Sequence, residues 1–374
     1  MKKCVFLLIT LLMVLLALPA MADVLDKPVK DGTVDLTSFR SLKDKQVNQM
    51  VKDLQAQPEV TRVELVGVSL TQDQRLRLME KCPEVDFHWM VKIGGVEIDS
   101  DATVLDLDSL VKSSTKLSDI RNGLNCLPKV EKVIMFNFRF SLGAMEGLLE
   151  QFPDIDFSWT NHWYVCDGRV IDLRTDATAF TTAKGRQEPR YTADKLMRRL
   201  KHCPDLLAID VGHNNVSDLS FLLNWPNLRR LIVIDSLRPI TDLSPLAQLP
   251  DLEYIELFMQ DITDISPLAN HEKLLDLNLC CNDVTDLSPL YSCPNLERLQ
   301  ISFNPNLTQE EVDKLQAVLP NCEIITDAED CTEGGWREHP RYFNIYESFN
   351  SYTYIPFEPI TEESADAAPE EPAE

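Results

Sequence analysis

Two acidic side chains, Asp210 and Glu256, have the spacing that comes nearest to a catalytic pair in this sequence. They occupy the same position in two segments of a repeated pattern, and Ile232 holds that position in the segment between them. If each segment is a β-strand, the two carboxylates lie roughly 10 Å apart, which approaches the separation in inverting glycosidases. Such pairs are also common on acidic sheets, and no base-orienting group accompanies this one. We therefore predict no catalytic residue and a chain that is not an enzyme.

The ten cysteines are the next candidates, for redox chemistry or metal binding. Cys280 and Cys281 are adjacent, but neighbouring residues on a strand point to opposite faces unless one of them enters the turn. Nine cysteines remain when Cys4 is set aside, and an odd number cannot pair completely within one molecule. No paired C-x-x-C or H-E-x-x-H spacing occurs. The pattern favours mostly buried thiols over a disulfide framework, and it predicts no metal and no cofactor.

The amino terminus has the three parts of a cleavable export signal. Lys2 and Lys3 precede an apolar run, Val5 to Leu18, and an A-x-A cleavage pattern ends at Ala22. The run is short for a membrane span of about 20 residues, although an uncleaved anchor is the alternative. We predict a signal peptide over residues 1–22, and hence a secreted protein, or a periplasmic one if the source has an outer membrane.

The chain is strongly acidic, with a formal net charge of −24 that becomes −26 when the two lysines of the signal are removed. Such a surface repels phosphate backbones, so we predict no nucleic-acid partner. The stretch from Glu362 to Glu374 has six acidic residues and no basic one, which predicts a disordered tail over residues 358–374. No segment after the signal is apolar enough to span a bilayer.

One eight-residue phrase occurs three times at 22-residue intervals, as PITDLSPL from Pro239, DITDISPL from Asp261 and DVTDLSPL from Asp283. A phrase that regular indicates a stacked structural unit. Within each unit, apolar residues alternate with the period of a strand that has one buried face. In the fourth unit we expect Asn282 to end the strand with an amide that bonds the neighbouring turn. Ser288-Pro289 is expected to supply a helix cap and a first-turn proline.

The units begin at five leucines, Leu206, Leu228, Leu252, Leu274 and Leu296. Their pattern, L-x-x-L-x-L-x-x-N-x-[IV]-x-D-L, resembles the short leucine-rich repeat of bacterial internalin-like proteins. Gln260 replaces the expected asparagine in the third unit, and the fifth unit has a predicted helix, Thr308 to Leu319, similar to ribonuclease-inhibitor repeats. The resemblance implies an α/β solenoid with a curved parallel sheet on its concave face, and helices and short helical turns on its convex face.

The first half repeats on a longer scale. VTRVELVGV at Val60 corresponds to VEKVIMFNF at Val130, an offset of 70 residues. Each long unit is predicted to contain two βα steps and an inserted strand pair, such as Val91 to Asp99. One continuous solenoid and two abutting domains divided near residue 200 both fit this pattern. We expect divergent long repeats over 23–205, leucine-rich repeats over 206–324 and a C-terminal cap over 325–357.

The predicted concave face offers a binding surface on the strands. Aromatic and methionine side chains beside arginines are typical of protein-binding patches. The alternative is that the cap or a neighbouring loop covers these side chains. The residues predicted to contact a ligand are Arg230, Ile232, Ile234, Tyr254, Glu256, Phe258, Met259, Asp276, Asn278, Arg298, Gln300 and Phe303.

The resemblance also implies the kind of partner. Proteins similar to internalins recognise surface proteins of a host or a neighbouring cell, so we expect a non-catalytic, macromolecule-binding role with a protein partner. An envelope glycan-binding module or a structural scaffold is the alternative, and a hydrolase is less favoured.

Overall fold

The computed structural model describes residues 26–164, 170–182 and 191–357. The predicted signal peptide (1–22) and acidic tail (358–374) lie outside these residues, as do Cys4 and Cys166. In the described ranges, no helix is both long and apolar enough to cross a membrane.

The chain divides into two compact units, Met1–Phe157 and Ser158–Glu374. This division lies ahead of residue 205, where the long repeats were expected to end. The reason is visible in the core of the second unit, where Trp163, Leu173 and Leu196 belong to the same buried cluster as the repeat leucines.

The first unit contains two successive βα arrangements, as the 70-residue offset predicts. In the first, the parallel strands β1, β2 and β3 are joined by two helices, and a strand pair, β4 and β5, follows. In the second, β6 pairs in parallel with β7 and three helices follow these strands. The strands are β1 Thr33–Asp35, β2 Arg62–Glu64, β3 Asp86–His88, β4 Met90–Ile93, β5 Val96–Asp99, β6 Val104–Asp106 and β7 Lys132–Met135. The helices are α1 Asp44–Ala56, α2 Gln72–Lys81, α3 Leu107–Leu110, α4 Leu117–Leu124 and α5 Leu142–Gln151.

Local chemistry explains these elements. Thr71 begins α2 with a capping box, in which its hydroxyl accepts the Gln74 N–H and the Gln74 side chain accepts the Thr71 N–H. Helix α1 buries Val47, Met50 and Leu54 at the three- and four-residue spacing of an amphipathic helix.

The second unit is built on a seven-stranded parallel sheet in strand order, with every strand in register with the next. Its strands are β10 Ala179–Thr181, β11 Ala208–Asp210, β12 Arg230–Ile232, β13 Tyr254–Glu256, β14 Asp276–Asn278, β15 Arg298–Gln300 and β16 Glu323–Ile325. An antiparallel pair precedes it, β8 Asp156–Tyr164 and β9 Val170–Arg174. The helices are α6 Ala193–Leu200, α7 Gln309–Val318 and α8 Pro340–Ser351. The sheet thus has one strand, β10, ahead of the predicted first repeat at Leu206.

The repeated phrase is the return from each strand to the next, and the cap in it differs from the prediction. Residues Ser288–Ser292 form a 3-10 turn with Pro289 in its first turn, as expected. Ser288 itself is not the cap. The Asp286 carboxylate accepts the Ser288 N–H at 2.8 Å, and this bond lowers the pKa of Asp286. The aspartate in T-D-L-S-P-L therefore supplies the capping oxygen.

The asparagine at unit position nine connects neighbouring units, as predicted. The Asn282 side chain accepts the Ile262 N–H at 3.0 Å and donates to the carbonyl oxygens of Leu257 and Leu279, both at 3.0 Å. Gln260, the departure from the pattern, makes the same kind of contact because its Oε1 accepts the Ile240 N–H at 2.9 Å. The buried amides thus satisfy backbone groups that the short strands leave unpaired.

Candidate functional site

Ten of the twelve predicted contact residues are buried, and only Met259 and Phe303 are exposed, at 49% and 53%. The side chains at unit positions three, five and seven, which we call the sheet face, point away from the leucine core. Residues 325–357, the C-terminal segment, cover them. The prediction of an exposed concave patch is therefore wrong for ten residues, and the alternative that a cap covers them is what the structure has. The buried ten are Arg230, Ile232, Ile234, Tyr254, Glu256, Phe258, Asp276, Asn278, Arg298 and Gln300.

The segment extends well beyond the last repeat. Helix α8 contacts β10 and β11 at the opposite end of the sheet. The carbonyl oxygen of Tyr352 accepts the Thr178 N–H at 3.1 Å and the Ala179 N–H at 3.2 Å. The segment therefore crosses the sheet from its last strand to its first, and does more than cap the final repeat.

A buried ion pair joins α8 to the middle of the sheet face. The Arg341 guanidinium donates to both carboxylate oxygens of Asp276, at 2.6 and 2.8 Å, and to Glu297 at 2.6 Å. The side chains of Arg341 and Asp276 are 6% and 0% exposed. Two parallel bonds in this geometry satisfy the guanidinium and the carboxylate together, which a buried charge requires.

Trp336 occupies the centre of the sheet face. Its indole N–H donates to Glu256 at 2.8 Å, and the Tyr254 hydroxyl also donates to that carboxylate. Burial is the main cause that raises the pKa of Tyr254 well above its ordinary value. Arg298 donates to the Trp336 carbonyl oxygen at 3.0 Å and stacks its guanidinium 4.4 Å from the ring centroid.

Arg230 is fully buried beneath the end of the segment. It donates to the Ile355 carbonyl oxygen at 2.6 Å and to the Ser348 hydroxyl at 3.1 Å. Its guanidinium lies 3.8 Å from the Phe357 ring centroid and 4.5 Å from that of Tyr354. The aromatic rings contact the face of the planar guanidinium, and the oxygen atoms accept hydrogen bonds from its edge, so the buried charge is stabilised in both directions.

Apolar side chains fill the remaining space between sheet and segment. Ile232 and Phe258 from the repeats and Ile345 and Phe349 from α8 belong to one buried cluster, separate from the leucine core. The second unit thus has a hydrophobic layer on each side of its sheet, and the segment is a structural layer of the fold.

Asp210 and Glu256, the acidic pair singled out in the sequence, each have hydrogen-bond partners of their own. The Asp210 carboxylate accepts the Thr181 hydroxyl at 2.6 Å and the Gly212 N–H at 3.0 Å, while Glu256 is bonded to Tyr254 and Trp336. Burial raises the pKa of Asp210. Both carboxylates are buried and committed to contacts that position the strands and the segment.

The two predicted contact residues that remain exposed share one row at the edge of the sheet. The residues at unit position eight, here called the position-eight row, all have positive φ angles, between 44° and 57°. Met259 donates its N–H to the Cys280 carbonyl oxygen at 3.0 Å, so the row continues the pairing of the strands. The row consists of His213, Asp235, Met259, Cys281 and Phe303.

Among the residues that the structure describes, two groups of side chains are close enough together to hold a metal ion. The sulfurs of Cys280, Cys281 and Cys331 all lie within 4.8 Å of one another. In the first unit, the ligand atoms of His88, Asp99 and Asp101 also lie within 4.8 Å of one another. Arg62 and Lys129, however, already bond Asp101 at 2.7 and 2.6 Å. Those two cations supply the charge that a metal ion would bring to the His88 group.

A cavity of about 400 Å³ lies in the first unit, beside α2 and the β4–β5 pair. Arg75 contributes to its wall, but the guanidinium donates to the carbonyl oxygens of Leu70 and Met90 at 2.8 and 3.0 Å. Burial lowers the pKa of Arg75. No predicted contact residue lines this cavity.

Sequence reasoning missed the partners of the sheet face, which are Trp336, Arg341, Tyr354 and Phe357, and it missed Cys331. A signal for them was present. The face carries buried charges of both signs, and the segment G-G-W-R-E-H-P-R-Y-F has arginines and aromatic residues that complement them.

Comparison with known proteins gives structural neighbours alone, since no protein-family model and no curated protein matches the chain. Internalin C2 of Listeria monocytogenes is 19% identical over 56% of this chain and 83% of its own, with a TM-score of 0.33. An internalin F from the same organism is 16% identical over 78% of this chain and 68% of its own, with a TM-score of 0.33. A leucine-rich repeat protein of Leptospira interrogans is 12% identical over 81% of this chain and 98% of its own, with a TM-score of 0.29.

These scores are low, so the assignment of the fold rests on the chain's own repeat. Repeats of 22 or 24 residues, in-register parallel strands and amide contacts between units occur together over 206–304. The chain is similar to internalins and other leucine-rich repeat proteins, and its second unit is an α/β leucine-rich repeat solenoid.

Proposed function

We propose that this chain is an exported, non-catalytic leucine-rich repeat protein that binds a partner protein through the position-eight row. The sheet face was the predicted contact surface, but the C-terminal segment covers it. The exposure of Met259 and Phe303 is the observation that carries the proposal. The twelve predicted residues then divide into ten that hold the segment and two that face a partner.

The backbone at these two positions supports the proposal. Met259 and Phe303 have φ angles of 56° and 57°, a left-handed conformation that costs a non-glycine residue about 1–2 kcal/mol. Asparagine or glycine adopts it more easily. Neither burial nor backbone preference accounts for a large apolar side chain at these positions. An anchor for a partner does, because exposed methionine and aromatic residues are enriched at protein interfaces.

Spacing and charge indicate what the partner presents. Consecutive strands are about 4.8 Å apart, so Met259 and Phe303, two units apart, are roughly 10 Å apart. The chain carries a net charge of −24, which favours association with a basic surface. We infer an apolar groove or ridge rimmed by lysine or arginine, on a surface protein of a host or neighbouring cell. The predicted signal peptide supports an encounter outside the cell.

Affinity capture tests the proposal. The chain from Asp23 to Glu374 is offered extracts of host surfaces and bacterial envelopes, beside a Met259→Asp, Phe303→Asp double variant. A Leu223→Asp variant is the matched control, because Leu223 is also exposed, at 37%, but lies in a 3-10 turn away from the row.

We expect a protein that the native chain and the control retain and that the double variant binds more than tenfold more weakly. A partner that the double variant retains equally contradicts the proposal. If soluble saccharide displaces the captured partner, and the double variant binds that partner as well as the native chain does, the glycan-binding alternative is favoured.

A further inference from the structure

Three cysteine sulfurs converge where the position-eight row meets the C-terminal segment. The Sγ atoms of Cys281 and Cys331 are 3.2 Å apart, and those of Cys280 and Cys281 are 4.0 Å apart. Cys281 and Cys331 are 50 residues apart along the chain. The cluster therefore joins the repeat to the segment that covers it.

The backbone brings these sulfurs together. Cys281 has a φ angle of 53°, so it leaves the alternation of the strand and its sulfur lies near that of Cys280. Cys331 is held against the sheet because its carbonyl oxygen accepts the Asn278 side-chain N–H at 2.8 Å. The approach of Cys331 to Cys281 is thus fixed by groups other than the thiols themselves.

We propose that Cys281 and Cys331 form a disulfide that bonds the C-terminal segment to the repeat. Their sulfurs are already 3.2 Å apart, and Cys281 is half-exposed, whereas Cys280 is fully buried. An exported chain meets an oxidising environment, in which such pairs form. The other described cysteines are free and buried: Cys82, Cys126, Cys203, Cys293 and Cys322.

The reaction is thiol–disulfide exchange with a disulfide oxidant, such as oxidised glutathione. Cys281 loses its proton, attacks one sulfur of the oxidant and releases the first glutathione thiolate, which takes up a proton. The Cys331 thiolate then attacks the Cys281 sulfur and expels the second glutathione thiolate. Two protein thiols lose two electrons and two protons, and the oxidant becomes two thiols.

Exposure assigns these two roles, because half-exposed Cys281 can meet the oxidant, whereas Cys331 is buried and attacks second. Hydrogen bonds with Cys280 and then Cys281 lower the pKa of Cys331 against the effect of burial, which suits the resolving thiolate. Burial is the main cause that raises the pKa of Cys281 to about 11. Cys280 also has a raised pKa, because of its hydrogen bond with Cys331 and its burial.

The bond would complete the attachment of the C-terminal segment. Polar and apolar contacts hold α8 and Trp336, and the turn at Cys331 precedes both of them along the segment. A disulfide there closes the loop from 281 to 331 and keeps the segment in place when its other contacts open transiently.

Mass spectrometry tests the bond directly. The reduced, folded chain from Asp23 to Glu374 is treated with oxidised glutathione, free thiols are blocked with N-ethylmaleimide, and the digest is analysed. We expect a peptide pair that joins the 280–281 segment to Cys331, with a mass lower by two hydrogens. Protease cleavage within 325–357 is expected to slow about tenfold or more on oxidation and to recover on reduction.

Two matched variants separate the adjacent cysteines. The cross-link should persist in Cys280→Ser and disappear in Cys281→Ser, while near-ultraviolet circular dichroism confirms that both fold. Glutathione that stays on Cys281 of the folded native chain without a cross-link overturns the proposal. So does a cross-link that survives Cys281→Ser and is lost in Cys280→Ser. Zn²⁺ that binds the native chain, prevents oxidation and is lost equally in both variants also overturns it.

Discussion

Both units carry charged residues on their sheets, but they satisfy these charges in different ways. In the first unit, Arg62 bonds Glu64, Asp86 and Asp101 on and beside the sheet, and its side chain remains 26% exposed. In the second unit, Asp276 lies on the sheet and Arg341 lies on the segment above it. Their side chains are 0% and 6% exposed. The first network remains in contact with water, whereas the second is sealed between two layers.

This difference explains why a row of charges on a parallel sheet does not by itself indicate a ligand site. Arg62 finds its partners on neighbouring strands and in the loop that carries Asp101. In the second unit, Asp276 finds its partner 65 residues further along the chain, on the C-terminal segment. The same kind of sequence pattern thus becomes a half-exposed salt-bridge network in one unit and an internal interface in the other.

The largest effect should come from Arg341→Met. This change leaves the buried Asp276 carboxylate without its bidentate partner, so we expect a loss of about 3–5 kcal/mol in the free energy of unfolding of the second unit. Urea unfolding followed by hydrogen exchange measures it. An Arg341→Met, Asp276→Leu double variant should lose less than the sum of the two single changes. If Arg341→Met alone lowers the free energy of unfolding by less than about 1 kcal/mol, this pair stabilises the fold no more than an exposed ion pair does.

Trp336→Phe should have the next largest effect. It removes the N–H that Glu256 accepts while keeping most of the ring, and we expect a cost of about 1–3 kcal/mol. Trp89→Phe in the first unit is the matched control, because its indole N–H donates to a neutral carbonyl oxygen, that of Cys126, at 2.9 Å. The same unfolding measurement should give a smaller loss for the control, about 0.5–1.5 kcal/mol. Equal losses for the two variants would show that the charged Glu256 acceptor contributes no more stability than the neutral carbonyl oxygen of Cys126.

Arg62→Ala should cost less than either change. Its ion pairs are part-exposed, so we expect a loss of up to about 1 kcal/mol, reduced further by salt. Thermal unfolding at low and high salt measures this. Arg341→Met should show little salt dependence because its pair is sealed from solvent. A salt-independent loss at Arg62 would contradict the description of the first network as open.

The smallest effect concerns pH and His88. Burial alone would lower the pKa of His88, but Glu64, Asp99 and Asp101 raise it. Stabilisation by the charged imidazole is therefore complete below its unfolded pKa of about 6.5 and is lost as pH rises through the higher folded value. His88→Gln should cost a few tenths of a kcal/mol at about pH 5.5 and less at about pH 9. A loss that grows with pH would reverse the sign of this coupling.

The sequence predicted what is periodic. The 22-residue interval located the strands and their returns, and the Thr308–Leu319 helix appears as α7 with Thr308 as its N-cap. The strand pair predicted at Val91–Asp99 appears as β4 and β5. In these regions each residue is constrained by neighbours close in the chain or one repeat away, so local patterns are sufficient.

The sequence could not predict which side chains the C-terminal segment covers. Asp276 meets Arg341, and Arg230 meets Phe357, through contacts across the sheet that leave no period in the sequence. Cys331 approaches Cys281 only because the segment crosses the sheet face there. The aromatic composition indicated a cap, but its placement depends on tertiary packing.

Hydrogen–deuterium exchange on the native chain tests the central claim most directly. If the C-terminal segment is a structural layer, the amides of α8, Pro340–Ser351, should exchange about as slowly as those of β13 and β14 beneath it. Arg341→Met should speed exchange in α8 and leave the first unit unchanged. Rapid exchange throughout α8 of the native chain, with slow exchange retained in the strands, would contradict the account and return the sheet face to the surface.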